Sequence, residues 1–182
     1  MSSVSRVALI ATFVLCACAV DGRAQVFPPP EGELKPGYDR FTDERTVTLY
    51  SLLISEKKAD LDYIKLYVTL GVRYSSGTTP RSPDFVVIIF SAWTPWDYQF
   101  TQPAALYAIV DGQRKYYGLA PLIENTVING KYVSKVGGRL AFGDFKEIVK
   151  AKSVEMRIGT IEFTLTEKVQ NKLQDFAGMI TP

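Results

Sequence analysis

The residues of this chain best suited to grip another molecule are aromatic. Trp93, Trp96, Tyr98 and Phe100 crowd one segment, and Tyr107, Tyr116 and Tyr117 follow in the next stretch. Rings exposed on a rigid scaffold stack on sugars or anchor a protein partner, because each offers a wide apolar area at little entropic cost. Trp93, Trp96, Tyr98, Tyr107 and Tyr116 are therefore the candidate ligand-binding residues. The competing reading is structural: a tryptophan plugs the end of a core, and tyrosine rings cover a sheet face.

Catalytic chemistry has less to draw on. The chain contains no histidine, which excludes Ser-His-Asp and Cys-His arrangements and every His-ligated metal site. Ser55-Glu56-Lys57-Lys58 matches Ser-x-x-Lys. A Ser–Lys pair needs a helical turn and a buried lysine, whereas this tetrapeptide sits in a highly charged stretch. Glu155 and Glu162 face the same way on one expected hairpin, as the two acids of a glycoside hydrolase would. Arg157 beside them also suits an ordinary solvated face. Asp39, Asp43 and Glu44 lie close in sequence, as do Asp60 and Asp62, without the spacing of an EF-hand calcium loop. No Gly-x-Gly-x-x-Gly or Walker loop is present, and Gly137-Gly138 reads as a turn or bulge. These residues assign no catalytic group, no metal and no cofactor.

Charge narrows the partners. The formal net charge is +2 and no long basic run appears, so a nucleic-acid partner has no electrostatic footprint here. Hydrophobic content of 47% and charged content of 22% are those of a globular protein. The 182 residues suffice for one domain with a substantial core.

Residues 1–24 read as a signal segment. Arg6 precedes an apolar run from Val7 to Val20, too short to span a bilayer and suited to secretion. Gly22-Arg23-Ala24 offers small residues for cleavage before Gln25, and Ala17-Cys18-Ala19 is a second candidate site. Leu15-Cys16-Ala17-Cys18 resembles a bacterial lipobox, which would make Cys18 the lipidated N-terminus and give the protein its one route to a membrane. A retained helical anchor is the third alternative. Cleavage before Gln25 leaves no cysteine, because Cys16 and Cys18 are the only two. Residues 25–37, with Pro28-Pro29-Pro30, Pro36 and Gly37, read as a proline-rich tether or a disordered lead-in.

The remainder, 38–182, must supply the scaffold. Period-two patterns place strands at Thr46–Ile54, at Tyr63–Tyr74 and at Ala104–Val110. Asp84–Ala92 contains an unbroken run of apolar residues and reads as a central strand buried on both faces. Ser55–Asp62 and Ser75–Pro83 read as loops, and Asp97–Phe100 as a short strand. Asp111-Gly112 and Asn129-Gly130 are type I′ hairpin signals. The first sets Tyr107 opposite Tyr116. The second joins Leu122–Ile128 to Lys131–Val133. Arg139–Phe142 reads as a short strand, and Asp144 as the cap of a helical turn through Lys150. Around Gly159-Thr160 a II′ turn sets Arg157 opposite Glu162 and Met156 opposite Phe163. Thr166 then caps a helix whose Val169, Leu173, Phe176 and Ile180 form one apolar stripe. Many strands without a βαβ rhythm predict a mainly β fold: an antiparallel β-sandwich, or open barrel, with a C-terminal amphipathic helix.

Tyr38-Asp39-Arg40-Phe41 near the start of this domain and Val154–Leu165 near its end resemble a pattern in exported bacterial proteins of unknown function. The resemblance implies a compartment and a fold, and carries no activity or site residues. The sequence thus points to an exported, periplasmic or envelope-associated, non-catalytic binding module for an envelope protein or glycan. Two alternatives stand beside it: a carboxylate-dependent hydrolase, and a purely structural envelope protein that associates through an open sheet edge.

Overall fold

A computed structural model describes residues 31–59, 62–75 and 83–180. Among these described residues, ten strands and two helices follow one another as β1 (Glu33–Asp39), β2 (Glu44–Ala59), β3 (Asp62–Ser75), β4 (Phe85–Thr94), β5 (Ala104–Val110), β6 (Gln113–Ala120), β7 (Leu122–Ile128), β8 (Lys131–Ala141), α1 (Phe142–Lys150), β9 (Val154–Ile158), β10 (Ile161–Thr164) and α2 (Glu167–Ile180). The strands form a six-stranded sheet in the order β1-β2-β3-β4-β8-β7 and a four-stranded sheet in the order β10-β9-β5-β6. Every pairing is antiparallel. The two sheets pack over one core, so the fold is the β-sandwich.

Alternation explains the layering. Leu66, Val68, Leu70 and Val72 of β3 and Val86, Ile88 and Phe90 of β4, side by side in the larger sheet, share one core with the inner residues of the smaller sheet, Leu106, Ala108, Met156, Ile158 and Phe163. The hairpins form as their turn residues dictate. Asp111 and Gly112 take φ of 47° and 83°, and Asn129 and Gly130 take 50° and 72°, as a I′ turn requires. At the β9–β10 turn only Gly159 has positive φ, 60°, as in II′. Thr166 caps α2: its Oγ1 accepts from the Val169 N–H at 3.4 Å. Val169, Leu173, Phe176 and Ile180 are all buried. The two helices pack on one another, with Phe145 edge-on to Phe176 at 5.7 Å. Gln170 and Gln174 of α2 donate to the carbonyls of Ala151 and Val149, which the end of α1 leaves unpaired.

Several expectations need correction. The signal segment 1–24, with Cys18, and residues 25–30 of the tether lie outside the described residues, as does most of the loop expected at 75–83. Residues 33–37 are not tether. They belong to edge strand β1, where Pro36 is tolerated because an edge residue can turn its missing N–H away from the ladder. The charged stretch from Ser55 is not a loop either. β2 continues to Ala59, pairing with β3 without interruption from Ser55 onward after a register shift between Leu53 and Ser55, so long-range pairing overrides a polar composition. Asp97–Phe100 is irregular rather than a strand. β8 runs without a break through Gly137 and Gly138, each paired to β4, and so absorbs the separate short strand expected at 139–142. The bulge lies opposite, in β7, between Leu122 and Glu124. Asp144 does not cap α1. The cap position is Ala141, which makes no side-chain cap bond, and Asp144 sits in the first turn, where its charge favours the helix dipole.

Candidate functional site

The outer face of the four-stranded sheet carries the most organised group of functional side chains. Leu106, Ala108 and Val110 of β5 turn inward, which sends Tyr107 and Ile109 outward. The same alternation exposes Glu155 and Arg157 on β9 and Glu162 and Thr164 on β10. The three registers then align these residues across the strands. Glu162 faces Arg157, Arg157 faces Tyr107, and Tyr107 faces Tyr116. Two residues further along, Thr164 faces Glu155, Glu155 faces Ile109, and Ile109 faces Arg114. The result is two parallel rows, each spanning all four strands.

Contacts within the first row fix its side chains. The Arg157 guanidinium lies over the Tyr107 ring, 4.6 Å from its centroid. Tyr107 and Tyr116 stack with centroids 4.9 Å apart and planes tilted by 35°. Arg157 Nη1 is 3.8 Å from Glu162 Oε1. Each contact is solvated and contributes under about 1 kcal/mol. Their effect is positional: Tyr107 is held between Arg157 and Tyr116, and Tyr116 remains 57% exposed at the end of the stack. An open groove of about 540 Å³ lies here, lined by Tyr107, Arg114, Glu155, Arg157 and Glu162 among others.

The sequence-predicted residues do not form one site. Tyr107 and Tyr116 belong to this face. Trp93 lies on the outer face of the other sheet, between the inward Ala92 and Thr94, and packs edge-on to Tyr67 at 6.2 Å. The core separates the two pairs. Trp96 is 63% exposed in the segment after β4. Tyr98 stands edge-on to Tyr132 at 5.2 Å. Phe100 is buried, and its N–H donates to the buried Ser134 Oγ at 3.1 Å. Within that segment Thr94 Oγ1 donates to the Asp97 carbonyl, and the Tyr98 N–H donates to Asp97 Oδ1 at 2.6 Å. Sequence reasoning placed Arg157 opposite Glu162 but missed that both adjoin the tyrosines. That join rests on the β5–β9 pairing, across residues far apart in the chain.

Comparisons with protein-family models, with curated proteins and with solved structures found no match to this chain. Its chemistry is therefore judged from the residues alone. Glu155 and Glu162 both line the groove, yet both are exposed, and Glu162 is paired with Arg157. The groove is open, so both carboxylates meet solvent there. Ser55 lies on an extended strand, not the helical turn that a Ser–Lys pair needs, and the Lys58 side chain lies outside the described residues. The Asp39, Asp43 and Glu44 acids are engaged locally. Asp39 accepts the Phe41 N–H at 2.9 Å, which holds its carboxyl below the usual range. Asp43 accepts the Tyr38 hydroxyl at 2.9 Å, raising that phenol above its ordinary value. Glu44 pairs with Arg73 at 3.0 Å. Among the described residues no three metal-ligating side chains cluster, and no helix is long and apolar enough to cross a membrane.

Proposed function

We propose that this protein is an exported, non-catalytic binding module that meets its ligand on the outer face of the four-stranded sheet. The observation that carries this reading is the Arg157–Tyr107–Tyr116 stack beside an open groove. An aromatic ring held in place by its neighbours loses little freedom on binding, so contact with it turns efficiently into affinity. Export is supported by the apolar run after Arg6 and by the resemblance of Tyr38–Phe41 and Val154–Leu165 to exported bacterial proteins. The reading gives the chain a periplasmic or envelope location, with Gln25 as the mature N-terminus or, in a lipoprotein, Cys18.

Co-sedimentation of the purified chain from Gln25 onward, which carries no cysteine to lipidate, with the isolated insoluble envelope fraction of the producing cell tests the proposal. The native protein should co-sediment with that fraction. A Tyr116→Ala, Arg157→Ala variant should be released into the supernatant, while Trp96→Ala should remain bound. Equal retention of all three would remove the tyrosine face from the function.

A further inference from the structure

Resting on that reading of the tyrosine face, we infer that its ligand is a neutral oligosaccharide lying across the strands along the Glu162–Arg157–Tyr107–Tyr116 row. Three properties of the face select this class.

Size is the first. Strands about 4.8 Å apart give each row a span of roughly 14 Å, and the two rows lie about 7 Å from one another. The resulting footprint is on the order of 100 Å², whereas a stable protein interface buries about 800 Å² on each partner. The core of such an interface is also depleted of charge, while Glu162, Arg157, Glu155 and Arg114 occupy half of these eight positions. An extended peptide gains its main-chain hydrogen bonds at a sheet edge. Such a peptide would run along the edge strand β6 or β10, not across the four strands as this row does.

Charge is the second. Arg114 and Arg157 are matched by Glu155 and Glu162 within the same groove. A polyanion would gain from the two cations and lose to the two carboxylates standing among them. A polyhydroxylated neutral ligand uses both kinds. Guanidinium offers donors only and carboxylate acceptors only, and a sugar hydroxyl answers to either.

Ring geometry is the third. Tyr107 is flanked by Arg157 and Tyr116, so it acts as a positioning residue. The exposed ring of Tyr116 presents the surface on which the C–H face of a pyranose can lie, with the charged part of the row beyond it for the hydroxyls.

Amide chemical shifts of the ¹⁵N-labelled full chain, followed during titration, decide the matter. The probes are cellohexaose, maltohexaose and hexa-N-acetylchitohexaose as neutral chains and a heparin hexasaccharide as the anionic one. At least one neutral chain should shift Tyr107, Tyr116, Arg157 and Glu162 in saturable fashion, and heparin should not. Tyr116→Ala should weaken that binding about tenfold, the loss expected for one ring-stacking contact, and Tyr116→Phe should restore it. A stronger response to heparin, or no response of this face to any neutral chain, overturns the inference. In either case envelope retention still judges the tyrosine face by itself.

Discussion

Asp111 and Ser153 hold one another twice. The Asp111 N–H donates to the Ser153 carbonyl at 3.0 Å, and the Ser153 N–H donates to Asp111 Oδ1 at 3.0 Å. The same oxygen accepts the Lys152 N–H at 2.9 Å. These bonds tie the β5–β6 turn to the segment entering β9, and so help fix the register that brings Arg157 over Tyr107. Asp111 also sits at φ 47°, where aspartate and asparagine are tolerated and alanine is strained. Asp111→Ala should therefore destabilise by about 1–3 kcal/mol. Asp111→Asn, which keeps an acceptor and the backbone preference, should recover most of the loss. Urea denaturation measures both; an alanine variant as stable as the asparagine one would show that the tie contributes nothing.

Gly137 and Gly138 are neighbours with opposite tolerances. A Cβ on Gly137 would lie 2.8 Å from Ile123 Cδ1 and 2.9 Å from the Ile88 carbonyl oxygen. The side chain can shift, but the backbone oxygen of a central strand cannot. A Cβ on Gly138 meets nothing closer than 3.9 Å. Gly137→Ala should cost about 1–3 kcal/mol. Gly138→Ala should be neutral or stabilise by up to about 0.5 kcal/mol, because alanine restricts the unfolded chain. Thermal melts of the pair check this, and the reverse ranking would mean the strand is not packed as described.

The same two glycines mark where local reading of the sequence stops. Signals confined to a few residues mostly predict correctly: both I′ turns, the II′ turn at Gly159, the Thr166 cap and the helical stripe each depend on neighbours in the chain, and the Asp144 cap is the local signal that fails. Features decided by distant strands do not. A glycine pair reads as a turn until Ile123 and Ile89 are known to pack over Gly137. Pro36 reads as tether until β2 is known to pair beside it. The candidate site divides the same way. Tyr107 opposite Tyr116 and Arg157 opposite Glu162 follow from hairpin turns, but their junction needs the β5–β9 pairing. The separation of Trp93 from Tyr107 needs the division of strands between two sheets.

Tyr117 supplies a dependence on pH. Its hydroxyl is buried and has no hydrogen-bond partner among the described residues. Burial, with Asp144 adding to it, pushes the phenol up to about 12 from the ordinary 10.0. The folded state thus holds its proton more tightly than the unfolded state does. That contribution to stability is complete below pH 10 and is lost as pH rises from there through about 12. Tyr117→Phe should flatten the fall in stability over this alkaline range. At pH 7 it should leave stability equal or raise it by about 1 kcal/mol, since an unpaired buried group is removed. Denaturation at pH 7 and between pH 10 and 11.5 checks both; a clear loss at pH 7 would reveal a hidden partner for the hydroxyl.

Phe176 tests whether α2 belongs to the core or merely follows it. The ring is fully buried, edge-on to Phe145 of α1, at the centre of the stripe formed by Val169, Leu173 and Ile180. α2 packs against β2 of the six-stranded sheet and against α1. Removing the ring deletes buried area that the rigid strands cannot close over, and Phe176→Ala should cost about 3–5 kcal/mol. Met179, 42% exposed on the same helix, should tolerate alanine at well under 1 kcal/mol. If Phe176→Ala costs less than about 1 kcal/mol, α2 is not docked.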